Sequence, residues 1–254
     1  MHEVSQEALA PVLKLTLEFD GAGYRGWQSQ PDRCTIQDQL EQAVARVNGA
    51  PVTVHGCGRT DAGVSARNYV AGFTPARYLP QERWLRALNY HLPPDICVKA
   101  VEPAPAGFHA RFSARRKHYH YRITRGRSPL RHRRAWELRG PVDIERVRRA
   151  AREFLGTRDY RAFCQVAVQC RQTPGTGVCT IHRITAKETG DEVELRVIGN
   201  RFLYKMVRRI VGAAVTYGAG RMTIADIRAA LAGRPHRPFR TAPAHGLLLD
   251  RVEY

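Results

Sequence analysis

Between Leu13 and Phe19 the chain alternates strictly, with Leu13, Leu15, Leu17 and Phe19 apolar and Lys14, Thr16 and Glu18 between them. A period of two places the apolar set on one face of a half-buried strand. From Ile36 the spacing changes. Ile36, Leu40, Ala43, Val44 and Val47 recur at three and four positions, the stripe of an amphipathic helix. Thr35 with Asp38 makes a capping-box-like start, and Gly49 ends the helix. Val52-Thr53-Val54 reads as a short strand and Asn68 to Phe73 as another. A second helix carrying Trp84, Leu85 and Leu88 stops before Pro93-Pro94, and Ile96-Cys97-Val98 is a further strand. This β-α-β-β-α-β order is the split pattern of a ferredoxin-like unit.

The remainder repeats the theme. Tyr119, Tyr121 and Ile123 alternate with His120 and Arg122 as a strand, and Ile144, Val147, Ala151, Phe154 and Leu155 stripe a helix. Strands are expected around Val178–Ala186 and Val193–Ile198. A helix carries Leu203, Met206, Val207, Ile210, Val211 and Ala214, a short one runs from Ala225 to Leu231, and a strand covers Leu247 to Val252. The expectation is an α+β protein of two ferredoxin-like halves, residues 11–110 and 111–254, with the boundary somewhere between Pro103 and Lys117. No low-complexity linker separates them, so the halves should share a mixed, mainly antiparallel sheet or a central cleft.

Charge changes the picture more than composition does. Hydrophobic residues at 43% and charged residues at 25% are ordinary for a globular chain of 254 residues. A formal net charge of +18 is not, and it points to a polyanionic partner. The densest region holds Arg111, Arg115, Arg116, Lys117, Arg122, Arg125, Arg127, Arg131, Arg133 and Arg134 with no acid among them. No apolar run approaches the roughly 18 residues that span a bilayer, and no basic amphipathic helix marks a terminus. Nucleic acid is therefore favoured over a membrane surface. The N-terminus lacks a secretory pattern, so a cytoplasmic protein with reduced cysteines is expected. Cys164, Cys170, Cys179 and His182 fit no common metal-site spacing.

One stretch carries chemistry. Gly56-Cys57-Gly58-Arg59-Thr60-Asp61-Ala62-Gly63-Val64 sets an arginine and an aspartate among three glycines, which admit unusual backbone angles and close ligand approach. Taken alone, these residues suit an Asp-capped turn as well as a working carboxylate. Cys57 reads as a small buried neighbour rather than a nucleophile, since no His has a fixed sequence relation to it.

Several blocks now fall in a recognisable order. They are Phe19-Asp20-Gly21, Gly26-Trp27-Gln28, Thr35-Ile36-Gln37, Gly58 to Val64, Leu88-Asn89 with Leu92-Pro93-Pro94-Asp95-Ile96, and Phe108 to Ala114. Tyr119-His120-Tyr121, Phe202 to Gly212 and Ala244-His245-Gly246-Leu247 complete the series. Over nearly its whole length the chain resembles the TruA-type tRNA pseudouridine synthases. The resemblance implies the pseudouridine synthase fold and a cofactor-free, metal-free isomerisation. Uridines 38, 39 and 40 of the tRNA anticodon arm would be detached at N1–C1′, rotated and rejoined through C5. It implies Asp61 as the catalytic aspartate, Tyr119 as the tyrosine that stacks on the target base, and a homodimer cradling tRNA in a basic cleft.

The residue types suit that chemistry. A base in a stem must be everted before a side chain reaches its sugar carbon or ring face. Arg59 is expected to hold phosphate or fill the vacated stack. An ionised Asp61 needs a cation, and the helix after Phe202 offers two. At about 100° per residue the apolar arc excludes Lys205, while Arg208 and Arg209 flank its edges symmetrically. Periodicity leaves both open; the family pattern places its arginine at 208. Tyr121 shares a face with Tyr119 and reads as core. His109 and Arg111 suit either RNA contact or a turn, and Leu247 and Leu249 should pack under the site. Ser65 stands where many relatives carry His, and Leu248 where an aromatic is frequent. The rival readings are a non-catalytic RNA-binding protein on the same fold and an aspartate-dependent nucleotide hydrolase. The second would call for a carboxylate cluster that the Asp61 stretch lacks.

Overall fold

The computed structural model describes residues 11–165 and 177–254. Their strands are β1 (Leu13–Phe19), β2 (His55–Gly56), β3 (Ser65–Phe73), β4 (Ile96–Pro103), β5 (Arg116–Arg125), β6 (Trp136–Leu138), β7 (Gly156–Asp159), β8 (Val178–Thr189), β9 (Glu192–Gly199) and β10 (Leu247–Glu253). The helices are α1 (Ile36–Asn48), α2 (Gln81–His91), α3 (Ile144–Arg152), α4 (Met206–Gly218) and α5 (Ile224–Leu231). None is long and apolar enough to cross a membrane.

All ten strands join one sheet in the order β4-β1-β3-β10-β5-β9-β8-β7, with β2 on β3 and β6 on β5. The pairings are antiparallel except β10 with β3 and β6 with β5. The expected mixed, mainly antiparallel α+β sheet is therefore present. Its seam is the last strand: β10 lies between β3 and β5, touching β3 through Leu248 opposite Ser65 and Leu249 opposite Ala66. One register row runs through Ile96, Phe19, Ala66, Leu249, Tyr119, Val197 and Ile184. All seven are buried. Directly paired residues share a face, so Tyr119 belongs to the core side. The next row, Ser65, Leu248, His120, Arg196 and Thr185, is only partly covered or exposed.

Helix signals held where they were local. Thr35 accepts the Asp38 N–H at 3.2 Å, and Gly49 caps α1 with φ +79°. Three expectations shift. Val52–Val54 is not a strand, because α1 side chains take up its polar groups: Val54 N–H donates to Glu41 Oε1 at 2.9 Å and its carbonyl accepts from Gln37 Nε2 at 3.2 Å. Leu203 stands outside α4, since Lys205 turns left-handed at φ +58° just before Met206. Phe154 and Leu155 follow α3 rather than finish it, leading into Gly156 at φ +91°. The short strands β6 and β7 carried no periodic signal long enough to read.

Candidate active site

The loop from Cys57 to Val64 is held from every side by main-chain contacts. Cys57 N–H donates to the Val70 carbonyl at 2.8 Å, and its own carbonyl accepts from Lys117 Nζ at 2.7 Å. The Tyr69 hydroxyl donates to the Gly58 carbonyl at 2.5 Å while its ring stacks on Trp27, centroids 4.3 Å apart. Trp27 N–H donates to the Thr60 carbonyl at 3.2 Å, and Gly63 N–H to the Tyr24 carbonyl at 3.2 Å. Gly26, at φ +89°, has no room for a Cβ against the Thr60 carbonyl oxygen. A side chain there would meet both strain and overlap. The 20–28 segment is thus the floor of the Asp61 loop, which explains in physical terms why Gly21, Gly26 and Trp27 stand where they do.

That floor is itself pinned to α1. Ile36 N–H donates to the Gly26 carbonyl at 3.1 Å and Gln37 N–H to the Trp27 carbonyl at 3.0 Å. Gln37, buried, also receives Gln28 Nε2 at 3.0 Å on its Oε1. Gln28 Oε1 in turn accepts from Arg59 Nε at 3.2 Å. Arg59 is exposed and has this one side-chain hydrogen bond among the described residues. Sequence reasoning placed Gln28 and Gln37 in the recognisable blocks but missed them as supports for Arg59, because the Gln28–Arg59 contact joins segments 31 residues apart.

Asp61 and Arg208 meet at 2.6 Å between Oδ2 and Nη1, with side chains 13% and 12% exposed. That little exposure means each charge needs the other to offset its desolvation. Arg208 is fixed twice, because its Nε donates to the Ala242 carbonyl at 2.7 Å. Arg209 turns away: its Nη2 donates to the Ala162 carbonyl at 3.1 Å and its guanidinium lies 4.9 Å from the Phe239 ring centroid. The ambiguity left by periodicity is resolved by neighbours that lie far away in sequence.

Tyr119 is buried on the core side of the sheet, edge-on to Phe202 with centroids 5.1 Å apart. Burial pushes its hydroxyl well above the ordinary tyrosine value, and the nearby Cys57 and Asp61 push it further. It stays a neutral aromatic surface at neutral pH. Tyr121 is fully buried and donates its hydroxyl to the Pro243 carbonyl at 2.8 Å, so it anchors the chain that follows α5. Leu247 and Leu249 are buried as well. Ser65 Oγ accepts from Gly21 N–H at 3.0 Å and donates to Asp20 Oδ1 at 3.3 Å, tying the loop exit to its floor. Burial raises the Cys57 thiol, which keeps it protonated and argues against a nucleophile there. Among the described residues no group of three His, Cys, Asp or Glu could hold a metal ion; Cys170 lies outside them.

The assembled site is a carboxylate clamped by a guanidinium, a neutral aromatic ring close enough to feel that carboxylate and, two residues before the aspartate, an exposed arginine held by Gln28. Comparison with known proteins agrees in kind. A family model described as tRNA pseudouridine synthase matches residues 16–113 and 150–254. The tRNA pseudouridine synthase A of Bacillus licheniformis is 40% identical over 247 residues, covering 95% of this chain and 98% of that protein. That of Moorella thermoacetica is 41% identical over 250 residues, covering 96% and 100%. That of Geobacter sulfurreducens is 40% identical over 250 residues, covering 95% and 99%.

Proposed function

The chain belongs to the tRNA pseudouridine synthase family, and from that premise we propose that it isomerises uridines 38, 39 and 40 of the tRNA anticodon arm, with Asp61 as the catalytic carboxylate. The observation that carries the assignment of the residue is the Asp61–Arg208 pair at 2.6 Å, largely shielded from solvent in a strongly cationic protein. A carboxylate there repels phosphate, so a purely RNA-binding surface would gain nothing from it.

The everted uracil stacks on Tyr119, whose ring offers a π-face to any pyrimidine. Asp61 acts on the nucleoside as an ionised group, by attack at C1′ or C6 or by removing the C2′ proton. Arg208 holds that carboxylate in one orientation, and its second bond to Ala242 keeps the guanidinium from swinging toward phosphate. The N1–C1′ bond breaks, a C5–C1′ bond forms, and the C5 proton leaves as N1 gains one. Atoms and electrons are conserved within the nucleotide, so the isomerisation itself calls for no redox partner. Arg59, tethered only through Nε, has its terminal nitrogens available for phosphate or for the space the base vacates. Two copies of the chain together would form the basic cleft that cradles the tRNA.

Tritium release from 5-tritiated uridine in an unmodified tRNA transcript tests the reading. Release at the three anticodon-arm positions is expected. Tight transcript binding with no release would leave the non-catalytic RNA-binding reading instead.

A further inference from the structure

A second aromatic surface runs from the strand that feeds the Asp61 loop to the segment between β4 and β5, and nothing in the site above uses it. His55 on β2 stands six residues before Asp61, and its ring lies 5.3 Å from that of His109. The His109 ring lies 4.4 Å from that of Phe112, completing a ladder of three rings. Phe112 is 75% exposed, so the end of the ladder is open to a ligand.

The turn that carries two of the three rings is tied by its own hydrogen bonds. His109 Nδ1 accepts the N–H groups of Arg111 at 3.1 Å and Phe112 at 3.4 Å. The main-chain N–H of His109 donates to Ser113 Oγ at 3.0 Å, and Ser113 N–H donates to the His109 carbonyl at 2.9 Å. Burial, then the neighbouring His55, lowers the His109 pKa from its ordinary value, so the ring is a neutral stacking surface at neutral pH. The Arg111 guanidinium lies 5.5 Å from the Phe112 ring centroid. Among the described residues neither Arg111 nor Arg115 pairs with a carboxylate, so both charges are uncompensated.

We propose that the His55–His109–Phe112 ladder, with Arg111 beside it, is a stacking platform for an unpaired base of the tRNA other than the uridine being isomerised. Resting on the tRNA-modifying function above, the proposal adds a second contact to it. An exposed ring with a cationic rim matches a nucleotide, whose base stacks while its phosphate meets the guanidinium. A protein partner would call for apolar neighbours, and Phe112 has arginines instead.

Binding and turnover of one unmodified tRNA transcript, measured side by side, test it. Phe112→Ala should weaken transcript binding about ten-fold and raise KM with kcat nearly unchanged, while Phe112→Trp restores both. Arg111→Gln should weaken binding and flatten its salt dependence by about one unit, which Phe112→Ala should not. Replacing unpaired loop bases one at a time by abasic sites should reveal one position whose loss costs wild type but not Phe112→Ala. Binding by Phe112→Ala within two-fold of wild type, while wild type still makes pseudouridine, overturns the platform and leaves the function intact. Loss of self-association in Phe112→Ala with RNA affinity unchanged also overturns it, in favour of a contact between copies. A ring-dependent binding loss in a wild type that makes no pseudouridine supports the platform and removes the functional reading.

Discussion

The main chain of Arg240 crosses α4 directly over Gly212, so closely that a Cβ on Gly212 would overlap the Arg240 carbonyl oxygen. Two residues further, Ala242 N–H donates to the Arg208 carbonyl at 3.1 Å while the Ala242 carbonyl accepts from Arg208 Nε at 2.7 Å. The missing side chain at position 212 therefore sets how close this strap comes to the guanidinium that holds Asp61.

Gly212→Ala should displace the strap. Alanine would favour the helix by about 1 kcal/mol, but overlap with main chain cannot be relieved by a rotamer change. A net loss of about 1–3 kcal/mol is expected by urea unfolding, together with a lower kcat on tRNA. Unchanged stability and rate would show that the strap moves freely and does not position Arg208.

Asp61→Asn keeps the shape of the side chain and removes its charge. Turnover should fall below detection while transcript affinity stays within about three-fold of wild type, since the carboxylate makes no favourable contact with phosphate. Substantial pseudouridine formation by this variant would remove Asp61 from the chemistry.

Arg208 uses two nitrogens of its planar fork, one on Asp61 and one on Ala242. Lysine has one nitrogen and cannot reproduce both. Arg208→Lys should therefore lose most activity, and Arg208→Ala should also destabilise the fold by about 1–3 kcal/mol by leaving a nearly buried carboxylate without its partner. Full activity in the lysine variant would mean that charge alone is required.

Arg59 carries no structural burden comparable to that. Arg59→Gln should leave the melting temperature within about a degree of wild type, in keeping with an exposed substitution. It should weaken tRNA binding and reduce the salt slope by about one unit. A variant with wild-type affinity and slope would exclude a phosphate contact.

Three histidines set an acid limit on stability. His109, His120 and His245 all have lowered pKa values, burial being the largest cause in each. Around His120, Asp250 and Glu194 oppose that shift while Arg196 and Arg67 add to it. The folded state binds fewer protons at these sites than the unfolded chain. Their contribution is therefore complete above the ordinary histidine value of about 6.5 and is lost as pH falls below it through the lowered values. Glu153, held below its ordinary value chiefly by its hydrogen bond from Arg228, extends the loss at more acid pH. Thermal melts should be flat from about pH 7 to 8 and fall steadily below about 6.5. A melting temperature that held or rose toward acid would contradict this.

Local patterns were legible without coordinates. The alternation in β1 and the capped stripe of α1 depend on neighbours within a few residues, and periodicity reports those directly. The Gly-Arg-Thr-Asp stretch stood out as two charges among three glycines, but by itself it suited a capped turn equally well, and it took the ordered series of blocks along the chain to favour chemistry. Val52–Val54 misled for the complementary reason: its β-branched residues favour a strand, but Glu41 and Gln37 of α1 claim its backbone groups first.

What the chain's own order determines, then, is the set of elements and the chemically unusual residues they carry. Periodicity leaves Arg208 and Arg209 equivalent, since they border the same apolar arc; the family pattern singles out position 208, and only tertiary structure gives the physical difference, which lies in what surrounds each guanidinium. Tertiary structure also decides that β10 closes the sheet between β3 and β5. That insertion puts Leu249 between Ala66 and Tyr119 and so sets the aromatic ring beside the aspartate loop. Such pairings are contacts between segments far apart in sequence, and hydrophobic periodicity, being a local quantity, contains no term for them.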